Sequence, residues 1–173
     1  MVGVGTRINR NPSTLHCRTA MKVSTRGEYG VRAMVALAKN YGQGPMSITA
    51  MAKASSVPMP YLEQLIGPLR RAGLVESKRG AHGGYRLTRE PHLVLVGEVF
   101  RVMEGPVAPM DCVSEDISEQ TCPLIDGCET RPVWLRMREA IVSTLDSTTL
   151  ADLIANSPRR EAPALSKPER VAS

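Results

Sequence analysis

From Thr25 to Lys39 the apolar residues Val31, Met34, Val35 and Ala38 recur on one face at helical spacing, and the pattern predicts a helix over that span. Thr25 and Glu28 stand at the spacing of a capping box, in which the two side chains satisfy free amides of the first turn. Gly42 and Gly44-Pro45 close the segment. A short helix is expected from about Thr49 to Ala54, with Met51 and Ala52 pointing inward. After Ser55-Ser56-Val57-Pro58, a third helix opens at Pro60, a residue tolerated in a first turn. Its residues Leu62, Leu65, Ile66 and Leu69 form an unbroken helical stripe. Pro68 removes a backbone donor and predicts a kink or an early end near Gly67. Beyond the stop at Gly73, two short strands are expected at Val75–Lys78 and Tyr85–Leu87. Arg79-Gly80-Ala81-His82-Gly83-Gly84 joins them, with glycines that supply positive φ and let backbone approach a phosphate closely.

Three short helices followed by a hairpin spell a winged helix-turn-helix. A further helix is predicted at Val96–Glu104, with Val96, Val99, Phe100 and Met103 on one face and Gly105-Pro106 after it. Residues 107–130 are irregular, acidic and cysteine-bearing. A longer helix starts near Pro132, with Val133, Met137, Ala140, Ile141, Thr144 and Leu145 along one side. That stripe exceeds what a small winged domain needs for its own core, so it is read as a dimerisation helix; packing within its own subunit satisfies the same pattern. A last short helix is expected at Thr149–Ala155. The fold class is therefore mainly α with a small β-hairpin wing. Residues 21–90 form the winged DNA-binding domain and 91–156 the cysteine loop and dimerisation helices. Residues 1–20 lack a hydrophobic period and residues 157–173 are Pro- and charge-rich, and both segments are expected to be disordered. Met21 is an alternative start, which would leave Cys17 outside the working protein.

Composition sharpens this picture in two places. Aromatic residues make up 3% of the 173 residues, so the core is built from Leu, Val, Ile, Met and Ala. The net charge of +5 is unevenly spread: residues 1–90 hold 14 Lys+Arg against 4 Asp+Glu (net +10), and residues 91–173 hold 8 against 13 (net −5). A basic half beside an acidic half points to polyanion binding by the first and separate work for the second. No run approaches the roughly 20 apolar residues that span a bilayer. The basic N-terminal segment has no apolar region of the signal-peptide kind, so a cytoplasmic protein is expected. Its cysteines are then thiols or ligands rather than a disulfide framework.

In the basic half, Tyr61, Glu63 and Gln64 occupy the start of the third helix, where a recognition helix reaches base edges. Gln pairs with adenine and Glu accepts from the cytosine amino group. Arg79 at the wing tip suits a minor groove or a guanine. Lys53, Arg70, Arg71, Lys78 and Arg86 suit phosphates, which give affinity and salt dependence without sequence information. In the acidic half, Cys112, Cys122 and Cys128 follow the spacing Cys-x9-Cys-x5-Cys in a stretch without Lys or Arg. Three thiolates there suit an iron–sulfur cluster, or zinc with one further His or carboxylate. Surrounding negative charge disfavours a bare thiolate, a penalty that a bound cation removes. His16, His82 and His92 lie far away in sequence and are read as surface residues. No nucleophile–base pair, phosphate loop or HExxH motif is present, so no enzyme is expected; a metalloenzyme or cluster carrier is the reading this disfavours.

Taken in order, Met21 to Met34, Tyr61-Leu62-Glu63-Gln64-Leu65, Arg79-Gly80-x-x-Gly83-Gly84-Tyr85, the three cysteines and Trp134 resemble the IscR/NsrR family of bacterial winged-helix regulators. The resemblance runs from Met21 to about Asn156. It implies a homodimeric transcription factor with two winged domains on a near-palindromic promoter site, and a repressor is expected. It also implies a cluster beside the dimerisation helix. In the iron–sulfur-regulator branch the DNA contacts match Tyr61, Glu63 and Arg79, and a serine of that branch is Pro60 here. The cluster ligands match Cys112, Cys122 and Cys128, with a longer first gap. Where that branch has a histidine ligand after the last cysteine, this chain has Arg131. In nitric-oxide- and redox-sensing relatives an acidic residue completes the site, sometimes from the other subunit; its match is Glu28, which is also the expected cap. The resemblance leaves both [2Fe–2S] and [4Fe–4S] open. The expected function is a DNA-binding regulator sensing iron–sulfur status, redox state or nitric oxide. The alternative is a regulator without a cluster, using zinc, thiol oxidation or a sulfur-metabolism partner.

Overall fold

The computed structural model describes residues 23–80, 83–116 and 127–156. The two tails, Ala81 and His82 of the wing, and the part of the loop that holds Cys122 lie outside the described residues, as do the expectations made for them.

Helix α1 (Thr25–Lys39) begins at Ser24, whose hydroxyl accepts from the amides of Arg26 and Gly27 at 3.1 and 3.3 Å. The cap thus falls one residue earlier than the Thr25–Glu28 box that the sequence suggests. With the first turn already satisfied, Glu28 pairs instead with Arg32 one turn on, at 2.7 Å. Helix α2 (Ile48–Ser55) is capped in the same way by Ser47, which accepts from the Ala50 amide at 3.1 Å. Helix α3 (Met59–Arg71) has Pro60 in its first turn and continues through Pro68. The early end expected near Gly67 does not occur. Leu69, the residue after Pro68, is fully buried, and its place in the core holds the last turn despite the missing donor.

Gly73 turns the chain into strand β1 (Val75–Lys78), which pairs antiparallel with β2 (Gly84–Leu87), Val75 opposite Leu87 and Lys78 opposite Gly84. Met46 adds a bridge to the outer side of β2 through two backbone bonds with Tyr85, of 2.9 and 2.8 Å. This bridge explains Gly84: a Cβ there would lie 2.3 Å from the Met46 carbonyl oxygen. Positive φ occurs at Gly80, where φ is 120°.

A 3-10 turn (Pro91–Leu93) leads to α4 (Val96–Glu104), and a second (Asp111–Val113) opens the cysteine segment. Helices α5 (Arg131–Ser147) and α6 (Leu150–Ala155) follow. Helix α1 lies at the centre, packed by α2, α3, α4 and α6. For that reason its buried face is not the stripe Val31–Met34–Val35–Ala38. Ala33, Met34, Ala36, Leu37 and Ala38 are buried, whereas Val31 and Val35 are only partly covered. Met51, Leu62, Leu69, Val94, Val99 and Leu150 complete a core of aliphatic and Met side chains, as the shortage of aromatics requires.

The segment from Thr148 to Leu150 returns to this core. Val96 N–H donates to Thr148 O at 2.9 Å and Leu150 N–H to Val94 O at 3.0 Å. Helix α5 is different: none of its residues is buried, and Val133 is 57% exposed. The helix packs against α4 and the Asp111–Val113 turn, and its side chains there are only partly covered.

Candidate DNA-binding surface and cysteine segment

The 3.6-residue period of α3 separates its two tasks. Leu62, Leu65, Ile66 and Leu69 face inward, which turns Glu63 and Gln64 outward near the start of the helix. Tyr61 is half-buried, its ring edge-on to Tyr29 of α1 with centroids 5.4 Å apart and an interplanar angle of 89°. That contact fixes the first turn of α3 against α1. At the other end of α3, Arg70 and Arg71 are exposed and line an open groove of about 500 Å³ with Gly67, Val75, Glu76 and Ser77. Lys78 and Arg79 are exposed at the wing tip, and Lys53 is exposed on α2. Arg86 differs from the other basic residues. Its Nε donates to Glu76 Oε1 at 2.6 Å across the hairpin, so a strand partner already meets its charge.

The cysteine segment is held from two helices. Cys112 sits in the turn Asp111–Val113, anchored by the fully buried Val113. From α5, Arg138 Nη1 donates to the carbonyls of Val113 and Ser114 at 3.2 and 3.3 Å. From α4, Arg101 grips Glu115: Nη2 to Oε1 is 2.6 Å and Nε to Oε2 is 2.9 Å. The same guanidinium holds Asp146 of α5, with Nη1 to Oδ1 at 2.6 Å and Nη2 to Oδ2 at 2.9 Å. Glu115 Oε2 also accepts from the Val107 amide at 2.8 Å. These bonds hold the Glu115 carboxyl below the ordinary carboxylate range, Arg101 contributing most, and make Arg101 a still weaker acid than usual, through Glu115 first and Asp146 second. Gly97 makes room for the arrangement. A Cβ at that position would fall 1.9 Å from Asp146 Oδ1 and 2.7 Å from Arg101 Nη1.

Cys128 lies just before α5 and is half-buried. Its Sγ is 3.3 Å from Thr130 Oγ1, and its carbonyl accepts from the Arg131 amide at 3.2 Å. The Thr130 hydroxyl first, then the Thr130 and Arg131 amides and the Arg131 charge, pull the Cys128 thiol below its ordinary value. Donors at the start of α5 thus favour the thiolate at Cys128. Arg131 itself has a buried Nε without a hydrogen-bond partner among the described residues.

Glu28, expected as the fourth ligand from the resemblance, lies on α1 and is paired with Arg32. Among the described residues no group of three His, Cys, Asp or Glu side chains converges to hold a metal ion. Cys112 and Cys128 alone do not make a site for a cluster within one protomer. Cys122, the third cysteine expected at the site, lies outside the described residues. His92 is exposed and lies 3.3 Å from Glu90, consistent with a surface role.

Sequence reasoning did not find Arg101, Glu115, Asp146 or Gly97. The partners of Arg101 are 14 and 45 residues away, beyond the reach of any local spacing rule. An arginine on a predicted helix followed by an acidic loop was the only available signal.

Comparison with known proteins settles the kind of protein this is. A family model, Rrf2, described as an iron-dependent transcriptional regulator, matches residues 23–156. The chain belongs to the Rrf2 family. It is similar to the HTH-type transcriptional regulator CymR of Bacillus subtilis, 44% identical over 133 residues that cover 77% of this chain and 89% of the relative. Among solved structures, CymR, the global cysteine regulator of B. subtilis, superimposes with a TM-score of 0.65 and 42% identity, covering 80% of this chain and all of that one. The T. potens IscR structure gives a TM-score of 0.64 and 43% identity, covering 79% of this chain and 88% of that one. The winged-helix fold and the role of transcriptional regulator, not enzyme, follow from membership in this family. No helix among the described residues is long and apolar enough to cross a membrane.

Proposed function

We propose that this Rrf2 protein is a homodimeric repressor whose grip on promoter DNA is set by the state of its cysteine segment. The observation that carries the reading is the placement of that segment around α5. Cys112 lies in a turn hydrogen-bonded to Arg138 of α5, Cys128 abuts the start of α5, and α5 buries none of its side chains within one protomer. If α5 packs on its copy, a change at the cysteines alters how two winged units present their α3 helices. Glu63, Gln64 and Arg79 then read bases, Tyr61 sets the entry of α3, and Lys78, Arg70 and Arg71 take phosphates.

The first occupant proposed for the cysteines is an iron–sulfur cluster held by Cys112, Cys122 and Cys128. Glu28 of the same or the second subunit is the candidate fourth ligand once released from Arg32. The family description as iron-dependent and the three-thiol donor set support it. Such a cluster supplies a redox- and nitric-oxide-sensitive centre. A second reading needs no metal: Cys128, with a hydroxyl and helix-start amides drawing its thiol toward thiolate, acts as an oxidisable group, in keeping with the likeness to the global cysteine regulator CymR.

Anaerobic purification followed by visible absorption and by iron and acid-labile sulfide assays tests the proposal. Brown protein with matching iron and sulfide, lost in Cys122→Ala together with state-dependent DNA binding, is the expected result. Colourless protein that resists reconstitution overturns the cluster and leaves the thiol reading, which predicts peroxide-sensitive DNA binding abolished by Cys128→Ser.

A further inference from the structure

We infer that Arg101 is the positioning residue that couples the cysteine segment to DNA binding, with Glu115 as its hold on the segment and Asp146 as its hold on α5. The inference rests on the reading of the cysteines as the sensing element. Arg101 stands on α4, which packs against α1 and α3, so its backbone belongs to the unit that carries the recognition helix. Its guanidinium joins that unit to two other elements at once. One is Glu115, three residues beyond Cys112; the other is Asp146, near the end of helix α5.

The geometry is tighter than an incidental surface pair. Both carboxylates are bound through two oxygens, at 2.6–2.9 Å, and the side chains of Arg101, Glu115 and Asp146 are 31, 23 and 37% exposed. Gly97 leaves no space for a side chain where the ion pair sits, so α4 and α5 approach at a distance set by it. The planar guanidinium fork has no slack for two carboxylates moving apart, because hydrogen bonds weaken steeply beyond about 3.2 Å. A displacement of about 1 Å at the Cys112 turn therefore releases one of the two grips. Losing Glu115 leaves Arg101 to Asp146 alone and changes how α5 sits on α4. The same movement strains the Glu115 bond to the Val107 amide, which ties the segment to the chain just after α4. The signal thus passes from the cysteine turn to α5 and to the recognition unit through one side chain.

The test compares Glu115→Gln and Arg101→Lys with wild type in three states: reduced and metal-free, reconstituted anaerobically with ferrous iron and sulfide, and treated with hydrogen peroxide. Lysine keeps the charge but cannot bridge two carboxylates bidentately. The readout is the ratio of affinities between states for a duplex selected by wild type from a random pool. Wild type should differ by about tenfold or more between at least two states. Both variants should bind the duplex about as tightly as wild type when metal-free, with that ratio collapsed toward one. A purely structural role would weaken all states alike and leave the ratio intact, and that result overturns the inference while sensing by the cysteines stands. Equal affinity of wild type in all three states overturns the sensing reading, and this inference with it. Should Glu115→Gln fail to fold, Arg101→Lys alone decides by the same ratio.

Discussion

Replacing Leu150 with alanine asks whether the short helix α6 keeps the end of α5 seated on the DNA-binding core. Leu150 is 0% exposed and is the only buried residue of α6. Removing three carbons forfeits about 2.4 kcal/mol at about 0.8 kcal/mol per buried methylene. A cavity that fails to collapse would add to this, within the range of about 2–5 kcal/mol seen for buried Leu→Ala changes. An upper limit comes from the helix itself. Six residues are too few for a helix to persist unaided, so α6 detaches once holding the cavity becomes the costlier choice. Detachment forfeits that burial and also exchanges the bonds Leu150 N to Val94 O and Val96 N to Thr148 O for water, at about 1 kcal/mol each, which puts the limit at about 4.4 kcal/mol. The expected loss is therefore about 3 kcal/mol, equivalent to a Tm lower by roughly 10 °C for a domain of this size. Urea unfolding at matched protein concentration measures the loss, since any dimer makes stability concentration-dependent. Hydrogen exchange at the Val96 and Leu150 amides distinguishes a cavity from detachment. A loss below about 1 kcal/mol with both amides still protected would refute the claim that Leu150 anchors this end.

Two further outcomes test the DNA surface and the Arg101 hub. Lys78→Ala and Arg71→Ala should weaken binding on every duplex and each lower the salt slope by about one, whereas Glu63→Gln and Arg79→Ala should change base preference by about 1–3 kcal/mol at one position, as read by competition against single-base variants. An unchanged salt slope would remove Lys78 and Arg71 from the phosphate contacts. The Glu115 carboxyl has a folded-state pKa below its ordinary value of 4.5, so its contribution to stability is full above that value and is lost as pH falls through the folded one. The acid limb of a stability–pH profile should accordingly flatten below about pH 4.5 in Glu115→Gln. An identical limb in both proteins would mean that the carboxyl gains nothing from Arg101.

Wherever a segment's structure depends on neighbours in the chain, the sequence alone determined it. The α3 stripe Leu62, Leu65, Ile66 and Leu69 is fully or nearly fully buried, and the bounds of α1, β1 and α4 follow from local periodicity and turn residues. The winged fold and the family were legible for the same reason, since their motifs stand in fixed order along the chain. Small departures arose where two local rules competed. Ser24 displaced Thr25 as the cap, and burial of Leu69 overrode the breaking tendency of Pro68. Only the tertiary structure decided which face of α1 is buried, because helices surround it on several sides and no single stripe reports that. The same holds for Gly84, whose missing side chain admits the Met46 carbonyl, and for the return of α6 to Val94. Arg101, Glu115 and Asp146 come together from α4, the cysteine segment and the end of α5. Each is an ordinary charged residue in its own stretch, and the charge clamp exists only because folding removes the 14- and 45-residue separations between them.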